Sequence, residues 1–111
     1  MPAVTDELVS QMVDMIVREA DPLQVYLFGS HARGDATEES DVDFLVVERG
    51  DFGPERSRLD EEGRLSRALT RFGVPRDVLV YSADEVEWRK TGRNNVVARA
   101  IREGRLVYDR S

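Results

Sequence analysis

The sequence lacks several features that would direct it to particular classes of protein. It contains no cysteine and one histidine in 111 residues. Disulfide frameworks and thiolate metal sites are therefore excluded, and a metal ion must be held mainly by oxygen, which favours a hard cation such as Mg²⁺. No apolar run approaches the roughly 20 residues of a membrane-spanning helix, and the chain opens on no signal peptide. We therefore expect a cytoplasmic protein without a membrane partner.

Basic residues are too few for a protein that wraps nucleic acid. Lys and Arg total 16 against 22 Asp and Glu, which gives a net charge of −6. Binding through counterion release needs a basic face, so we expect no direct nucleic-acid partner. The acidic balance suits a nucleotide delivered with its own metal ion, or a basic protein partner.

Length and composition predict one domain over residues 1–111, since 41% apolar residues can build a modest core. Helical spacing of apolar residues, short runs of strand formers and turn residues then divide the chain into elements. The predicted helices span 5–20, 30–34, a segment from beyond Pro54 to about Phe72, 82–88, and a segment ending near Gly104. The predicted strands span 23–28, 42–47, 77–81 and 106–108. This order predicts an α+β (α/β-like) fold, a small mixed β-sheet with helices packed on it.

Two short motifs stand at the ends of predicted strands. Gly29 and Ser30 directly follow the first strand, where glycine lets the backbone approach a phosphate and the serine hydroxyl can donate to phosphate oxygens. Asp41 and Asp43 are two residues apart at the head of the second strand, so their side chains share a face. At roughly 5 Å and an effective dielectric constant of about 20 they repel by about 3 kcal/mol, which a divalent cation turns into attraction. The motifs together predict a site for a nucleoside triphosphate and its metal ion.

Two further residues extend this site, each with an alternative. Asp77 opens the third strand and completes a triad of carboxylates if that strand neighbours the second; the alternative is a strand-edge cap beside Arg76. Arg33 can neutralise charge on a leaving pyrophosphate, or can pair with Asp35 on the surface. Both alternatives remain open at the level of the sequence.

Other conspicuous side chains are given no chemical role. One isolated histidine makes no metal cluster, so His31 is not expected to be a ligand. Tyr81 and Trp88 are expected in the core or at an interface rather than stacked on a base. A solvated helix face, with a partner surface as the alternative, accounts for Arg99, Arg102 and Arg105.

The motifs carry a resemblance to a known family. Gly29-Ser30, ten residues, then Asp41-Val42-Asp43 resembles the signature of the DNA polymerase beta-like nucleotidyltransferase superfamily. A longer pattern, Gly-Ser-x-Ala-Arg-Gly followed by Ser-Asp-x-Asp, resembles the minimal nucleotidyltransferase (MNT) branch of that superfamily. The length and the order of elements resemble this branch over nearly the whole chain. The resemblance implies that Ser30 binds phosphate and that Asp41 and Asp43 bind metal. It also implies that Asp77 is the third carboxylate, which acts as or orients the general base.

The same resemblance implies a partner. Proteins of this branch are commonly antitoxins paired with a HEPN-domain toxin of the RNase type. The implied activity is Mg²⁺-dependent transfer of AMP from ATP to a tyrosine of that toxin, within a hetero-oligomer, which silences it. Two alternatives stay open. One is a non-catalytic module that neutralises the toxin by masking it; the other is transfer to a small molecule such as an aminoglycoside, for which the expected single domain offers no second lobe.

Overall fold

The computed structural model describes residues 3–110, which form a four-stranded sheet with helices on both faces. The helices are α1 (Asp6–Ala20), α2 (Ser30–Arg33), α3 (Arg58–Ala68), α4 (Ala83–Arg89) and α5 (Val96–Glu103). The strands are β1 (Gln24–Phe28), β2 (Val42–Glu48), β3 (Arg76–Ser82) and β4 (Arg105–Asp109). The predicted α+β class is confirmed, while the predicted domain limits at residues 1 and 111 lie outside the described residues. No helix within residues 3–110 is long and apolar enough to cross a bilayer.

The sheet is mixed, with strand order β3-β2-β1-β4. β2 and β3 run parallel, whereas β1 is antiparallel to both β2 and β4. The predicted last strand therefore forms an edge of the sheet. This topology places the C-terminal end of β1 at the same end of the sheet as the N-terminal ends of β2 and β3. The residues that follow β1 consequently meet the residues that open β2 and β3.

Strand β2 is buried on both faces, as its nearly continuous apolar run predicts. Val42, Phe44 and Val46 point into the core formed with α1 and α3. Leu45 and Val47 point to the opposite face, where they pack with residues of α4 and α5. Because side chains alternate along a strand, Asp43 lies on the face of α4 and α5.

Local capping signals set several helix boundaries. Leu8 N–H donates to the Thr5 hydroxyl at 3.1 Å and caps α1, as its sequence predicts. The predicted capping box at α4 is also present: Ser82 N–H donates to Glu85 Oε1 at 2.8 Å, and Glu85 N–H donates to Ser82 Oγ at 3.1 Å. These contacts satisfy donors that no helical carbonyl can reach.

The third helix is shorter than predicted. The sequence pattern extends it to about Phe72, but the α-helix ends at Ala68 and is followed by a 3₁₀ turn over Thr70–Phe72. The Arg76 side chain explains part of this ending, because it donates to the Ser66 carbonyl at 2.8 Å and to the Thr70 hydroxyl at 2.8 Å. A long-range side chain thus satisfies a carbonyl that a longer helix would have used.

Candidate active site

The turn after β1 brings Gly29 against Asp43. Gly29 has φ +75° and ψ −158°, a conformation that L side chains rarely adopt. A Cβ at this position would lie 2.1 Å from Asp43 Oδ2. The chain then enters α2 at once, and the N–H groups of Ala32 and Arg33 donate to the Gly29 carbonyl at 3.1 Å. Glycine is therefore required here both by its backbone conformation and by the close approach of a carboxylate.

Strand pairing brings the third predicted carboxylate to the same place. Asp43 is the register partner of Phe28 in β1 and of Asp77 in β3. The adjacency of β2 and β3 on which the predicted triad depends is thus confirmed. Asp41 does not lie on the strand, since β2 begins at Val42, and it occupies the exposed loop just before it.

The acidic side chains interact electrostatically. The pKa of Asp43 is raised from 3.8 to about 6, first by burial and then by the charges of Asp77 and Asp41, against smaller opposing effects of His31 and Arg33. Within residues 3–110, no three Asp, Glu or His side chains stand close enough to hold a metal ion by themselves. The carboxylates are therefore close enough to repel one another but do not form a closed cage.

The surface pair of Arg33 with Asp35 is present, whereas Arg76, the residue beside Asp77, has other hydrogen-bond partners. Arg76 donates to the carbonyls of Ser66 and Val74 and to the Thr70 hydroxyl, so these hydrogen bonds go to other partners than Asp77. Arg33 does pair with Asp35, with 3.3 Å between Nε and Oδ2. Both members of this pair are exposed, and such pairs contribute little stability, so Arg33 can leave Asp35 at small cost.

A cleft of about 300 Å³ opens over the glycine turn. Gly29, Ser30, Arg33 and Asp43 of the predicted site line it together. Arg99 and Glu103 of α5 also line it, although the sequence predicts a solvated face or a partner surface for this arginine. Their spacing of four residues indicates only that they share a helix face. Which part of the sheet that face meets is decided by the packing of α5.

The other conspicuous side chains lie outside this cleft. His31 Nε2 is 3.4 Å from the Ser40 carbonyl, and both residues line a separate cavity of about 630 Å³. Trp88 is 76% exposed and is therefore not in the core, one of its two predicted places. The Arg89 guanidinium lies 5.3 Å from the Trp88 ring and 5.5 Å from the Tyr81 ring. The interface predicted as the alternative for Trp88 stays a prediction.

Comparison with known proteins identifies relatives of this fold and sequence. The model of the nucleotidyltransferase domain family matches residues 9–106. A predicted protein adenylyltransferase of Methanocaldococcus jannaschii is 35% identical over 89 residues, which cover 77% of each chain. A solved minimal nucleotidyltransferase is 28% identical with a TM-score of 0.57, covering 90% of this chain and 92% of that one. The tri-AMPylated HEPN toxin complex with MNT antitoxin from Shewanella oneidensis gives 16% identity, a TM-score of 0.54, and coverage of 95% and 73%; at this identity it shows the fold alone.

Proposed function

The chain belongs to the nucleotidyltransferase domain family, and we propose that it transfers AMP from ATP to a tyrosine hydroxyl of a HEPN-domain partner protein, acting as its antitoxin. The observation that carries this proposal is the meeting of the Gly29 turn with Asp43 and Asp77 at one end of the sheet. The M. jannaschii relative supports AMP transfer to a protein. The S. oneidensis complex, in which a HEPN toxin carries AMP, supports the choice of partner.

The glycine turn would hold the phosphates of the donor nucleotide. The Ser30 hydroxyl and the first N–H groups of α2 lie where the chain turns into a helix, and such donors suit phosphate oxygens. Arg33, which lines the same cleft, would neutralise the charge that grows on the leaving pyrophosphate. Gly29 serves this arrangement by leaving space that a side chain would fill.

The acidic residues fit a hard divalent cation. Asp41, Asp43 and Asp77 offer only oxygen atoms. Burial, and then the charges of Asp77 and Asp41, raise the pKa of Asp43, and a bound cation would favour its ionised form. When bound, Mg²⁺ supplies Lewis-acid polarisation of the phosphate and balances its charge. Since the protein side chains form no closed cage within residues 3–110, phosphate oxygens of the substrate would complete the coordination, as is usual for Mg²⁺.

The transfer needs a base for the acceptor hydroxyl. The tyrosine oxygen forms a bond to the α-phosphorus, the bond from that phosphorus to the bridging oxygen breaks, and pyrophosphate leaves with the bonding electrons. Asp77 is exposed at the start of β3, opposite Asp43, and would accept or orient the tyrosine proton. The exposed position of Asp77 suits an acceptor that arrives from outside the chain.

An exposed tryptophan supports a protein as the acceptor. Trp88 is 76% exposed, and the guanidinium of Arg89 lies within cation–π distance of both the Trp88 and the Tyr81 rings. Tryptophan, tyrosine and arginine are the residues most enriched where protein interfaces hold their binding energy. The net charge of −6 further suits a basic partner.

Labelled transfer to the partner tests the proposal. The chain is incubated with the protein encoded next to its gene, Mg²⁺ and ATP labelled at the α-phosphate. We expect pyrophosphate release and, by mass spectrometry, AMP on a partner tyrosine. The double variant Asp41→Asn with Asp43→Asn should lose both, whereas Asp51→Asn, an exposed loop control, should retain them. Transfer that survives the double change would refute the proposed site.

The masking hypothesis has a distinct outcome in the same experiment. If the double variant still neutralises the partner and leaves its tyrosines unmodified, neutralisation does not require transfer. That result would replace the catalytic proposal with simple binding. Loss of neutralisation together with loss of label supports the catalytic proposal.

A further inference from the structure

Helix α5 brings a second arginine to the proposed nucleotide cleft. Arg99 lines the cleft of about 300 Å³ together with Ser30, Arg33 and Asp43. The two arginines come from different elements, since Arg33 ends α2 and Arg99 lies in the middle of α5. Arg102 lies on the same helix and is exposed, but it is not among the residues that line the cleft. The position of Arg99 is therefore specific within the arginine-rich segment.

Close packing holds the end of α5 against β1. Val97 and Ala100 are fully buried on the sheet face that carries Asp43. At the end of the helix, a Cβ on Gly104 would lie 2.3 Å from the Ala100 carbonyl oxygen and 2.5 Å from the Leu27 carbonyl oxygen. Leu27 and the next residue lead directly into the Gly29 turn. The backbone of α5 thus meets the strand that carries the turn, and this contact presents Arg99 to the cleft.

The Arg99 side chain is held only weakly. Its Nε lies 3.8 Å from Glu103 Oε2, and both side chains are exposed, by 66% and 41%. Ion pairs of this kind contribute little and are readily exchanged. A triphosphate carries several negative charges, and the planar guanidinium group can bind phosphate oxygens in a bidentate manner. A nucleotide in the cleft would therefore compete well with Glu103 for Arg99.

We propose that Arg99 binds the phosphates beyond the scissile bond, which leave as pyrophosphate, and so shares with Arg33 the recognition of the triphosphate. The inference rests on the proposed function, because it assumes that the cleft holds the donor nucleotide. It assigns to α5 a substrate contact that the motifs around Gly29 and Asp43 do not contain.

Nucleotide binding by matched variants tests this assignment. The α,β-methylene analogue of ATP cannot be transferred, so its affinity with Mg²⁺ can be measured by titration calorimetry on the full chain. Arg99→Ala is expected to weaken its binding about ten- to hundredfold. Arg99→Lys, which keeps the charge and loses the bidentate geometry, should fall between this variant and the wild type. The control Arg102→Ala should bind like the wild type.

Binding of AMP separates a phosphate contact from a structural effect. AMP lacks the two outer phosphates, so its affinity should be the same in Arg99→Ala and in the wild type. Equal loss of AMP and of the ATP analogue would show that the substitution disturbs the cleft as a whole and would overturn the assignment. Unchanged binding of the ATP analogue by Arg99→Ala would overturn it as well.

These measurements also distinguish failure of the Arg99 assignment from failure of the proposed function. If the wild-type chain binds neither nucleotide, both proposals are wrong. If it binds the analogue with the expected dependence on Arg99 but transfers no AMP to the partner protein, only the proposed acceptor is wrong. Thermal unfolding of each variant, measured alongside, shows that the compared chains are folded.

Discussion

Replacing Asp43 with asparagine is expected to make the metal-free protein more stable while it removes transfer. Asp43 is half-buried, lies against the Gly29 backbone, and shares its end of the sheet with Asp77 and Asp41. Its pKa is raised from 3.8 to about 6, chiefly by burial and then by those two neighbours. The negative charge of Asp43 thus destabilises the folded state. Asparagine has nearly the same shape and carries no charge.

The pKa shift sets the magnitude and the sign. A rise from 3.8 to about 6 corresponds to about 3 kcal/mol at roughly 1.4 kcal/mol per pKa unit. Because the side chain is only half-buried, solvent screening reduces this to about 1–2 kcal/mol. Between these two pKa values the unfolded chain has lost the proton that the folded chain keeps. The free energy of unfolding therefore falls as pH rises through that window, and the penalty is complete above about pH 6.

The assay is thermal or urea unfolding, monitored by circular dichroism from about pH 4 to about pH 8. A metal chelator is present throughout. Asp43→Asn and the wild type should be nearly equal at about pH 4, where the carboxyl is protonated. At neutral pH the variant should be about 1–2 kcal/mol more stable, or about 4–8 °C higher in melting temperature. Addition of Mg²⁺ and ATP should raise the melting temperature of the wild type alone.

Two related variants serve as controls for this experiment. Of the two acidic neighbours, Asp77 raises the pKa of Asp43 more than Asp41 does. Asp77→Asn removes this charge and should give a smaller gain in stability than Asp43→Asn. Asp51→Asn, in an exposed loop, should change stability little at any pH. If Asp43→Asn is no more stable than the wild type at neutral pH, or gains as much at about pH 4, burial and the acidic neighbours do not destabilise ionised Asp43.

Three further predictions concern the site and its support. Gly29→Ala should lower the free energy of unfolding, measured in urea, by about 1–3 kcal/mol and abolish nucleotide binding, because the backbone has φ +75° and a Cβ would lie 2.1 Å from Asp43 Oδ2. A variant that is as stable as the wild type and binds nucleotide would contradict this. Phe44→Ala at a fully buried position should cost about 3–5 kcal/mol in the same assay, whereas the exposed control Leu59→Ala should cost less than about 0.5 kcal/mol. The affinity for Mg²⁺ with ATP, measured by calorimetry, should fall by up to about tenfold per pH unit below about pH 6, because protonated Asp43 cannot bind a cation; constant affinity through that range would exclude Asp43 as a ligand.

Much of the secondary structure could be predicted because its causes are local. Apolar residues at helical spacing predict α1, and the strand at 42–47 follows from its apolar run. The capping box at Ser82 is a contact between neighbours in sequence and is present as predicted. Helical structure reaches Phe72 as predicted, but its last turn is 3₁₀, and the α-helix ends at Ala68. Part of the reason is Arg76, a residue of β3, which donates to Ser66 and Thr70.

Some residues of the candidate site could likewise be predicted from local sequence, and others could not. Gly29, Ser30 and the two aspartates can be identified from their spacing, because a turn after one strand and acids before another are local features. Trp88 could not be placed by its type alone, since aromatic residues serve cores and interfaces alike. Arg99 offered no signal, because an exposed helical arginine has the same pattern whether it faces solvent or a cleft.

The sequence by itself therefore determined most of the helices and strands of this protein, the family to which it belongs, and the residue types of the proposed nucleotide site. Only the tertiary structure decided that β3 lies beside β2 in parallel register, so that Asp77 stands opposite Asp43, and that α5 closes on β1 at Gly104. The physical reason is that helix and strand periods are encoded by near neighbours, whereas strand partners and helix docking depend on contacts between distant segments. Asp43 and the two arginines line one cleft only after those distant segments have packed.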